Sequence, residues 1–209
     1  MKNHFTALLA LLILTGGISS HGYAEEKPRI TPRLEILDDA TMKKLAKLSE
    51  PSAQHRTLSS LTGTWDYTLK YWTKEDSDAQ TSSGTLTNEM ILGDQFLSSK
   101  TGLILNIGGQ NIPYEGWGIL GYDATKNVFT SVWIDTMRTG MMSGSGQYNE
   151  ERKIIEEKGH FTHPLLEKEQ AYRAELQFID DDTYKRTIFM TGKPRKEFKV
   201  LEIEFNRRK

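Results

Sequence analysis

Apolar and polar side chains alternate along most of the chain, with the two-residue period of half-buried β-strands. In residues 63–71, every second position from Trp65 to Tyr71 is aromatic or aliphatic, and polar or charged side chains lie between. Strand-like segments continue at residues 84–91, 95–105, 114–122, 128–137, 140–148, 154–161, 172–179, 184–191 and 197–206. Because turn formers separate them and no helical pattern lies between them, these segments predict a sandwich or barrel built mainly from hairpins.

The last of these segments favours the barrel. Leu201, Ile203 and Phe205 point to one face of this strand. Glu202 and Glu204 point to the opposite face. A strand with one apolar and one charged face fits a single sheet closed around its own core. We therefore predict a mainly β fold, a single antiparallel barrel of about ten strands preceded by short helices.

The segment before the barrel has helical spacing. Apolar residues between 42 and 48 follow the helical period, Asp38 or Asp39 can cap the N-terminus, and Pro51 ends the pattern. We expect a second short helix over residues 51–61. This second helix is expected to plug or cover whatever follows it.

The first 24 residues have the pattern of a secretory signal peptide. Lys2 gives a positive start, residues 5–18 form a nearly continuous apolar run, and residues 22–24 include small side chains suited to cleavage. The apolar run is shorter than the roughly 20 residues of a membrane span. A signal peptide at 1–24 is therefore the prediction, and a retained N-terminal anchor is the alternative.

This organisation predicts an N-terminal extension with a short helix at residues 25–50 and a barrel domain at residues 51–209. After signal removal we expect a periplasmic or secreted protein with no stable membrane insertion. The sequence contains no cysteine, so disulfides, thiolate metal sites and a lipid-modified cysteine are excluded.

The charge balance argues against nucleic-acid binding. The chain has 27 Lys and Arg against 28 Asp and Glu, and removing Lys2 with the signal changes the net charge from −1 to −2 (26 minus 28). Such a balance gives no broad basic surface for nucleic acid.

Three residues at the ends of the predicted barrel match the pattern of a known protein superfamily. Gly63 and Trp65 open the first strand after a short helix, and Arg207 ends the last strand. This arrangement is similar to that of the calycin superfamily, which includes lipocalins and fatty-acid-binding proteins. The resemblance implies that Trp65 packs at a closed barrel end beneath Arg207, where a cation over an indole contributes roughly 0.5–2 kcal/mol.

A second resemblance covers residues 54–207. Its pieces are His55, Leu58, Leu61, Gly63 and Trp65, then Leu92, Gly93 and Phe96, Tyr114-Glu115-Gly116, Gly118, Gly121-Tyr122-Asp123, Trp133-Ile134-Asp135, Thr139-Gly140, Gly144, Gly146 and Arg207. In these pieces the chain resembles the bacterial family designated domain of unknown function 1579. That family implies a lipocalin-like barrel and brings no agreed activity.

Two motifs that would suggest other chemistry do not have the required context. Residues 116–121 match the G-x-G-x-x-G pattern of dinucleotide-binding folds, but a strand follows them where the motif needs a helix. His160 and His163 are three residues apart on a predicted strand, so they point to opposite sides and do not chelate a metal. With no hydrolase elbow and no cysteine nucleophile, the sequence contains no catalytic motif, and we predict no metal and no cofactor.

Aromatic residues on the predicted strands are candidates for lining a ligand cavity: Tyr67, Tyr71, Tyr114, Trp117 and Trp133. Small barrels either fill with side chains or hold one ligand, and apolar pockets with few polar groups are the usual sites. We therefore expect the interior to bind a small apolar molecule.

Asp135 is the candidate polar group of this cavity. It shares a strand face with Phe129 and Trp133, whereas the opposite face carries other apolar residues that could equally point inward. If Asp135 faces inward, it is a lone acid in an aromatic pocket, where burial disfavours its charged form. Arg138 or Arg173 could then neutralise it.

Two alternatives to the ligand-binding module remain open. The first is a haem-handling protein or an enzyme on the same barrel, with His55 or Asp135 at the reacting centre. The second is a structural or interaction protein with a filled barrel. His55 lies on the predicted short helix, where it could also form a structural bond to the barrel or contact a ligand.

Overall fold

The computed structural model describes residues 38–75, 77–107, 109–164, 166–191 and 196–209. The predicted signal peptide and the first part of the predicted extension lie outside the described residues.

Two helices precede the sheet, as predicted. Helix α1 spans Asp39–Leu48 and is capped by Asp38, whose carboxylate accepts the Thr41 backbone N–H at 2.7 Å. Helix α2 spans Ala53–Ser59. It packs against the second, third and fourth strands of the sheet.

Ten antiparallel strands form one closed barrel. They are β1 (Gly63–Tyr71), β2 (Gln80–Ile91), β3 (Phe96–Ile107), β4 (Gln110–Asp123), β5 (Val128–Asp135), β6 (Met142–Asn149), β7 (Ile154–His163), β8 (Lys168–Phe178), β9 (Thr183–Thr191) and β10 (Glu197–Arg207). Each strand pairs with its neighbours in sequence, and β1 pairs with β10 to close the sheet. The prediction of a single antiparallel barrel of about ten strands is confirmed.

The register of the strands identifies the residues that face the interior. Tyr67 is opposite Phe205 on β10, and Trp65 is opposite Leu86 on β2. Strand side chains alternate between the two faces of a sheet. The cross-strand pairs therefore identify the inward-facing residues of every strand in the barrel.

At the end covered by α2, the inward-facing side chains form the main hydrophobic core. Its fully buried members are Leu58, Leu61, Trp65, Tyr67, Leu86, Leu97, Phe129, Ile155, Leu176, Tyr184 and Phe205. Burying one such side chain contributes about 1.5–3 kcal/mol. This half of the barrel is therefore filled by protein, and α2 serves as its plug.

Candidate functional site

The helix-covered end is sealed by hydrogen bonds to the loop between α2 and β1. The Leu61 carbonyl accepts the Trp65 indole N–H at 2.8 Å and the Asn88 amide at 2.9 Å. Arg207 donates to the carbonyls of Ser60 at 2.8 Å and Thr62 at 2.7 Å. These contacts satisfy loop carbonyls that would otherwise be left without partners beside the core.

Arg207 also covers the core tryptophan. Its guanidinium carbon lies 4.1 Å from the centroid of the Trp65 ring system. Gly63 makes room for it, since a Cβ there would lie 3.0 Å from the Arg207 Nη1 atom and the backbone φ is +124°. Gly63, Trp65 and Arg207 thus form one closing unit at this end.

His55 lies in α2 at the same end. Its Nδ1 accepts the Ser52 backbone N–H at 2.9 Å, which caps the helix, and its ring meets the Tyr122 ring edge-on at 5.8 Å. Burial lowers the pKa of His55. The structure therefore gives His55 a helix-capping contact and a contact with the barrel.

Two clefts open beside α2 at this end. The first, of about 260 Å³, is bordered by charged residues including Lys153, Asp180 and Asp181. The second, of about 220 Å³, is bordered by polar side chains including Gln54 and Asn127. Neither cleft reaches Tyr71, Tyr114 and Trp133, which the sequence predicts to line a ligand cavity.

The opposite half of the lumen differs from the filled half. Many of its inward-facing side chains are half-buried, and most of these are apolar: Leu69, Tyr71, Leu103, Leu105, Ile112, Tyr114, Ser131, Trp133, Met142, Ile188, Met190, Leu201 and Ile203. On β7 and β8 the lumen also holds a small buried cluster of Phe161, Tyr172 and Ala174, against which Met142, Ile188 and Met190 pack. An inward-facing side chain keeps accessible surface only where a water-sized space lies beside it. This half therefore has apolar walls that solvent reaches.

Trp133 shows which face of β5 points inward. It is paired with Gly118, and its ring lies flat along β4, where a Cβ on Gly118 would be 2.5 Å from the ring and one on Gly116 would be 2.3 Å from it. The indole N–H donates to the Tyr114 hydroxyl at 3.1 Å. Phe129, which shares this face, is buried in the core, so the face that carries Trp133 and Asp135 points into the lumen.

The side chain of Asp135 is fully buried and lies beside Arg138. The Arg138 Nε atom is 3.1 Å from Oδ2 of Asp135 and donates to Oδ1 at 3.3 Å. The backbone N–H of Met137 also donates to Oδ1, at 2.9 Å. Of the two arginines suggested by the sequence, Arg138 is thus the partner of Asp135, whereas Arg173 pairs with glutamates elsewhere.

Two tyrosines share the lumen wall near these residues. The Tyr67 hydroxyl lies 2.8 Å from the Thr101 hydroxyl, and burial raises the pKa of Tyr67. Burial also raises the pKa of Tyr114, with a smaller contribution from the Asp135 charge. Tyr67, Tyr114, Trp133 and Asp135 are therefore brought together in the lumen.

Tyr71 lies further toward the open end of the barrel. Its hydroxyl donates to Gln80 Oε1 at 2.6 Å or to the Asn106 carbonyl at 2.8 Å. It faces inward by register, opposite Leu201 on β10. Tyr71 belongs to the wall of the lumen but not to the group around Asp135.

The expectation that Trp117 lines the interior is wrong. Trp117 lies between Gly116 and Gly118, which face inward, so its own side chain points out. It is 42% exposed, and its indole N–H donates to the Ser98 hydroxyl on the outer face at 2.9 Å.

A second buried charge in the lumen is not identified by the sequence analysis. Glu157 accepts the Tyr172 hydroxyl at 2.6 Å, and Arg186 donates to both of its carboxylate oxygens at 3.3 Å. A signal for it exists in the glycines, because a Cβ at Gly144 would lie 2.4 Å from Glu157 and one at Gly159 would lie 2.6 Å from Tyr172. Glycines on adjacent strands can thus mark the space of a large inward-facing neighbour.

In the part of the chain that the structure describes, no group of three or more His, Asp or Glu side chains could hold a metal ion. None of the helices described is both long and apolar enough to cross a bilayer.

The fold is similar to that of solved structures. The crystal structure of Rv2717c from M. tuberculosis aligns with a TM-score of 0.57 at 15% identity, over 77% of this chain and 100% of that chain. The structure of the S-type phycobiliprotein lyase CPES from Guillardia theta aligns with a TM-score of 0.51 at 8% identity, over 76% of this chain and 94% of that chain. The sequence matches none of the curated proteins with which it was compared. Residues 50–207 match the family described as "Protein of unknown function (DUF1579)", and the chain belongs to that family, whose function is unknown.

Proposed function

We propose that this protein binds a small, largely apolar molecule in the half of the barrel lumen that lies away from α2. The observation that supports this proposal is the half-buried state of its inward-facing apolar side chains. At the other end Trp65, Tyr184 and Phe205 are buried in the main core, and the half-buried side chains there, such as Tyr122 and Phe178, pack against that core. Both halves belong to one closed sheet, so the difference in burial between them reflects how far the lumen is filled in each half.

Hydrated apolar walls favour such a ligand. Each Å² of apolar surface removed from water contributes about 25 cal/mol, so a molecule that covers these walls gains affinity from burial. Aromatic rings at Tyr114 and Trp133 supply large contact areas with little conformational freedom to lose. The polar groups of the wall are few and lie at fixed positions, as in typical small-molecule sites.

Export to the periplasm or the extracellular space is part of the proposal. It is supported by the charged start, apolar run and small-residue end of residues 1–24 and by the complete absence of cysteine. A carrier of apolar molecules would meet its ligands there in aqueous surroundings.

The haem-handling and enzyme alternatives have less support. The His55 Nδ1 atom is occupied by the Ser52 N–H, and the ring lies at the sealed end of the barrel. Asp135 is held in an ion pair with Arg138. At 8% identity the likeness to a phycobiliprotein lyase concerns the fold, so it names no ligand for this chain. A filled, purely structural barrel is disfavoured by the half-buried walls.

The test is a titration with N-phenyl-1-naphthylamine, a neutral apolar dye that fluoresces when it leaves water. Leu103 and Ile104 are neighbours on β3; Leu103 faces the lumen, and Ile104 is 56% exposed on the outside. We expect Leu103→Lys to weaken dye binding about tenfold or more, because it places a charge in the apolar lumen. Ile104→Lys is the matched control and should bind like the unmodified chain. Absence of saturable binding, or equal binding by both variants, would contradict the proposal.

A further inference from the structure

Two buried polar atoms in the lumen have no hydrogen-bond partner. Within the described ranges, three buried side-chain atoms lack such a partner: Asn88 Oδ1, Asp135 Oδ2 and Arg138 Nη1. The first belongs to the sealed end, where Asn88 is buried in the core region. The other two belong to one ion pair, and buried polar atoms without partners are rare enough to require an explanation.

The two oxygens of Asp135 have different roles. Oδ1 accepts the Met137 backbone N–H and the Arg138 Nε–H, so it holds the turn after β5. Oδ2 lies 3.1 Å from Arg138 Nε without a hydrogen bond of good geometry. The structural role of this carboxylate is therefore fulfilled by one oxygen, and the other remains available as an acceptor.

The surroundings of the pair are apolar and aromatic. The Arg138 guanidinium lies 5.0 Å from the centre of the Phe161 ring. Asp135 is two residues from Trp133 on the same inward face and opposite Gly116, where the Trp133 ring passes. The Nη1 donor and the Oδ2 acceptor, both buried and without a hydrogen bond, thus lie at the end of an aromatic wall, where a ligand with an apolar body would place its polar end.

We propose that the Asp135–Arg138 pair recognises a hydroxyl group on a neutral amphiphile. This inference rests on the proposed binding of an apolar ligand in the lumen. A hydroxyl oxygen can accept the Arg138 Nη1–H and donate its own hydrogen to Asp135 Oδ2, which satisfies both atoms. An ether can only accept, and a carboxylate would satisfy Arg138 while its charge opposes that of Asp135.

The other lumen ion pair does not offer the same chemistry. Both Glu157 oxygens contact Arg186, and one of them also accepts the Tyr172 hydroxyl. No atom of Glu157, Tyr172 or Arg186 is among the buried unpaired atoms of the described residues. That group is therefore a satisfied structural network, and the Asp135–Arg138 pair is the recognition site.

The experiment measures displacement of N-phenyl-1-naphthylamine by three ligands of equal chain length: dodecan-1-ol, 1-methoxydodecane and dodecanoate. We expect dodecan-1-ol to displace the dye at a concentration about tenfold or more below that needed for the methyl ether, because only the alcohol satisfies both atoms. Asp135→Asn keeps an oxygen for the turn and removes the free acceptor, so it should bring alcohol and ether within about twofold. Arg138→Lys keeps the charge, lacks Nη1 and should have the same effect.

Trp117→Phe, on the outer face, is the matched control and should preserve the preference for the alcohol. Equal displacement by alcohol and ether, a preference for dodecanoate, or a preference that survives Asp135→Asn would overturn the hydroxyl site while leaving the proposed lumen binding intact. A dye that does not bind the unmodified chain would overturn both.

Discussion

The guanidinium carbon of Arg207 lies 4.1 Å from the ring centroid of Trp65, and the same two residues are paired in register across β1 and β10. The contact lies at the seam where the first and last strands close the sheet. It joins the seam to the loop after α2, since Arg207 also donates to two carbonyls of that loop. One side chain thus links the barrel closure to its helical plug.

Replacing Arg207 with Leu should lower the free energy of unfolding by about 2–4 kcal/mol, because it removes the cation–π contact and leaves loop carbonyls without donors. Urea denaturation followed by circular dichroism measures this change. Arg208→Leu is the adjacent control, since Arg208 forms an exposed pair with Asp66 and should leave the denaturation midpoint nearly unchanged. Equal destabilisation by both substitutions would argue against the closing role of Arg207.

Gly118→Ala should displace the Trp133 ring, because the added Cβ would lie 2.5 Å from it. We expect loss of the Trp133–Tyr114 hydrogen bond, a destabilisation of about 1–3 kcal/mol and a changed near-ultraviolet circular dichroism spectrum. Gly140→Ala is the control, since nothing lies within 4 Å of its added Cβ. A spectrum that is unchanged by Gly118→Ala would mean that Trp133 does not occupy the glycine space.

These glycines show what a sequence can and cannot reveal. The strands and helices follow from periodicity, and the pairing of Trp65 with Arg207 follows from a family resemblance. The inward face of β5 cannot be predicted from periodicity, because Val132 and Ile134 make the outer face of this strand as apolar as its inner face. Gly116 and Gly118 indicate which face of β5 points inward only when the position of their cross-strand neighbour Trp133 is known.

The misplacement of Trp117 has the same origin. An aromatic residue on a strand is usually placed inside, but here both neighbours are glycines whose space is taken by Trp133. Arg138 could be suggested only as one of two partners for Asp135, because a loop residue has no periodicity to orient it. Glu157 could not be identified, since a charged strand residue is usually on the solvated face.

Glu157→Ala should destabilise the protein by about 3–5 kcal/mol, because it leaves the Arg186 charge without its partner inside the barrel. Arg186→Met on the Glu157→Ala background should recover part of this loss, since the unpaired charge is then removed. The double-mutant cycle from urea denaturation measures the coupling. Additive losses would show that the two residues act independently.

Protonation of His55 should lower the free energy of unfolding as the pH falls. Burial lowers the pKa of His55 in the folded chain, so the unfolded chain takes up a proton first as the pH drops below about 6.5. The stabilisation is therefore complete above that pH and is lost below it, as the Nδ1 acceptor for the Ser52 N–H becomes protonated. Unfolding free energies measured between about pH 7.5 and pH 5 provide the test.

His55→Gln is the matched variant for this pH dependence. A Gln side chain can still accept the Ser52 N–H at the third helical position but does not titrate. We expect a shallower loss of stability on acidification in His55→Gln than in the unmodified chain. Identical pH profiles would show that the loss arises from other groups.

The most direct test of lumen binding is an NMR titration with N-phenyl-1-naphthylamine. The chain is labelled with ¹³C at its methionine methyl groups, and their signals are followed as the dye is added. Met142 and Met190 face the half-buried part of the lumen, whereas Met42 lies on α1 outside the barrel. The account predicts saturable shifts of the Met142 and Met190 methyl signals with the Met42 signal unchanged. Saturable shifts confined to Met42, or no shift at Met142 and Met190 while the dye is bound, would contradict it.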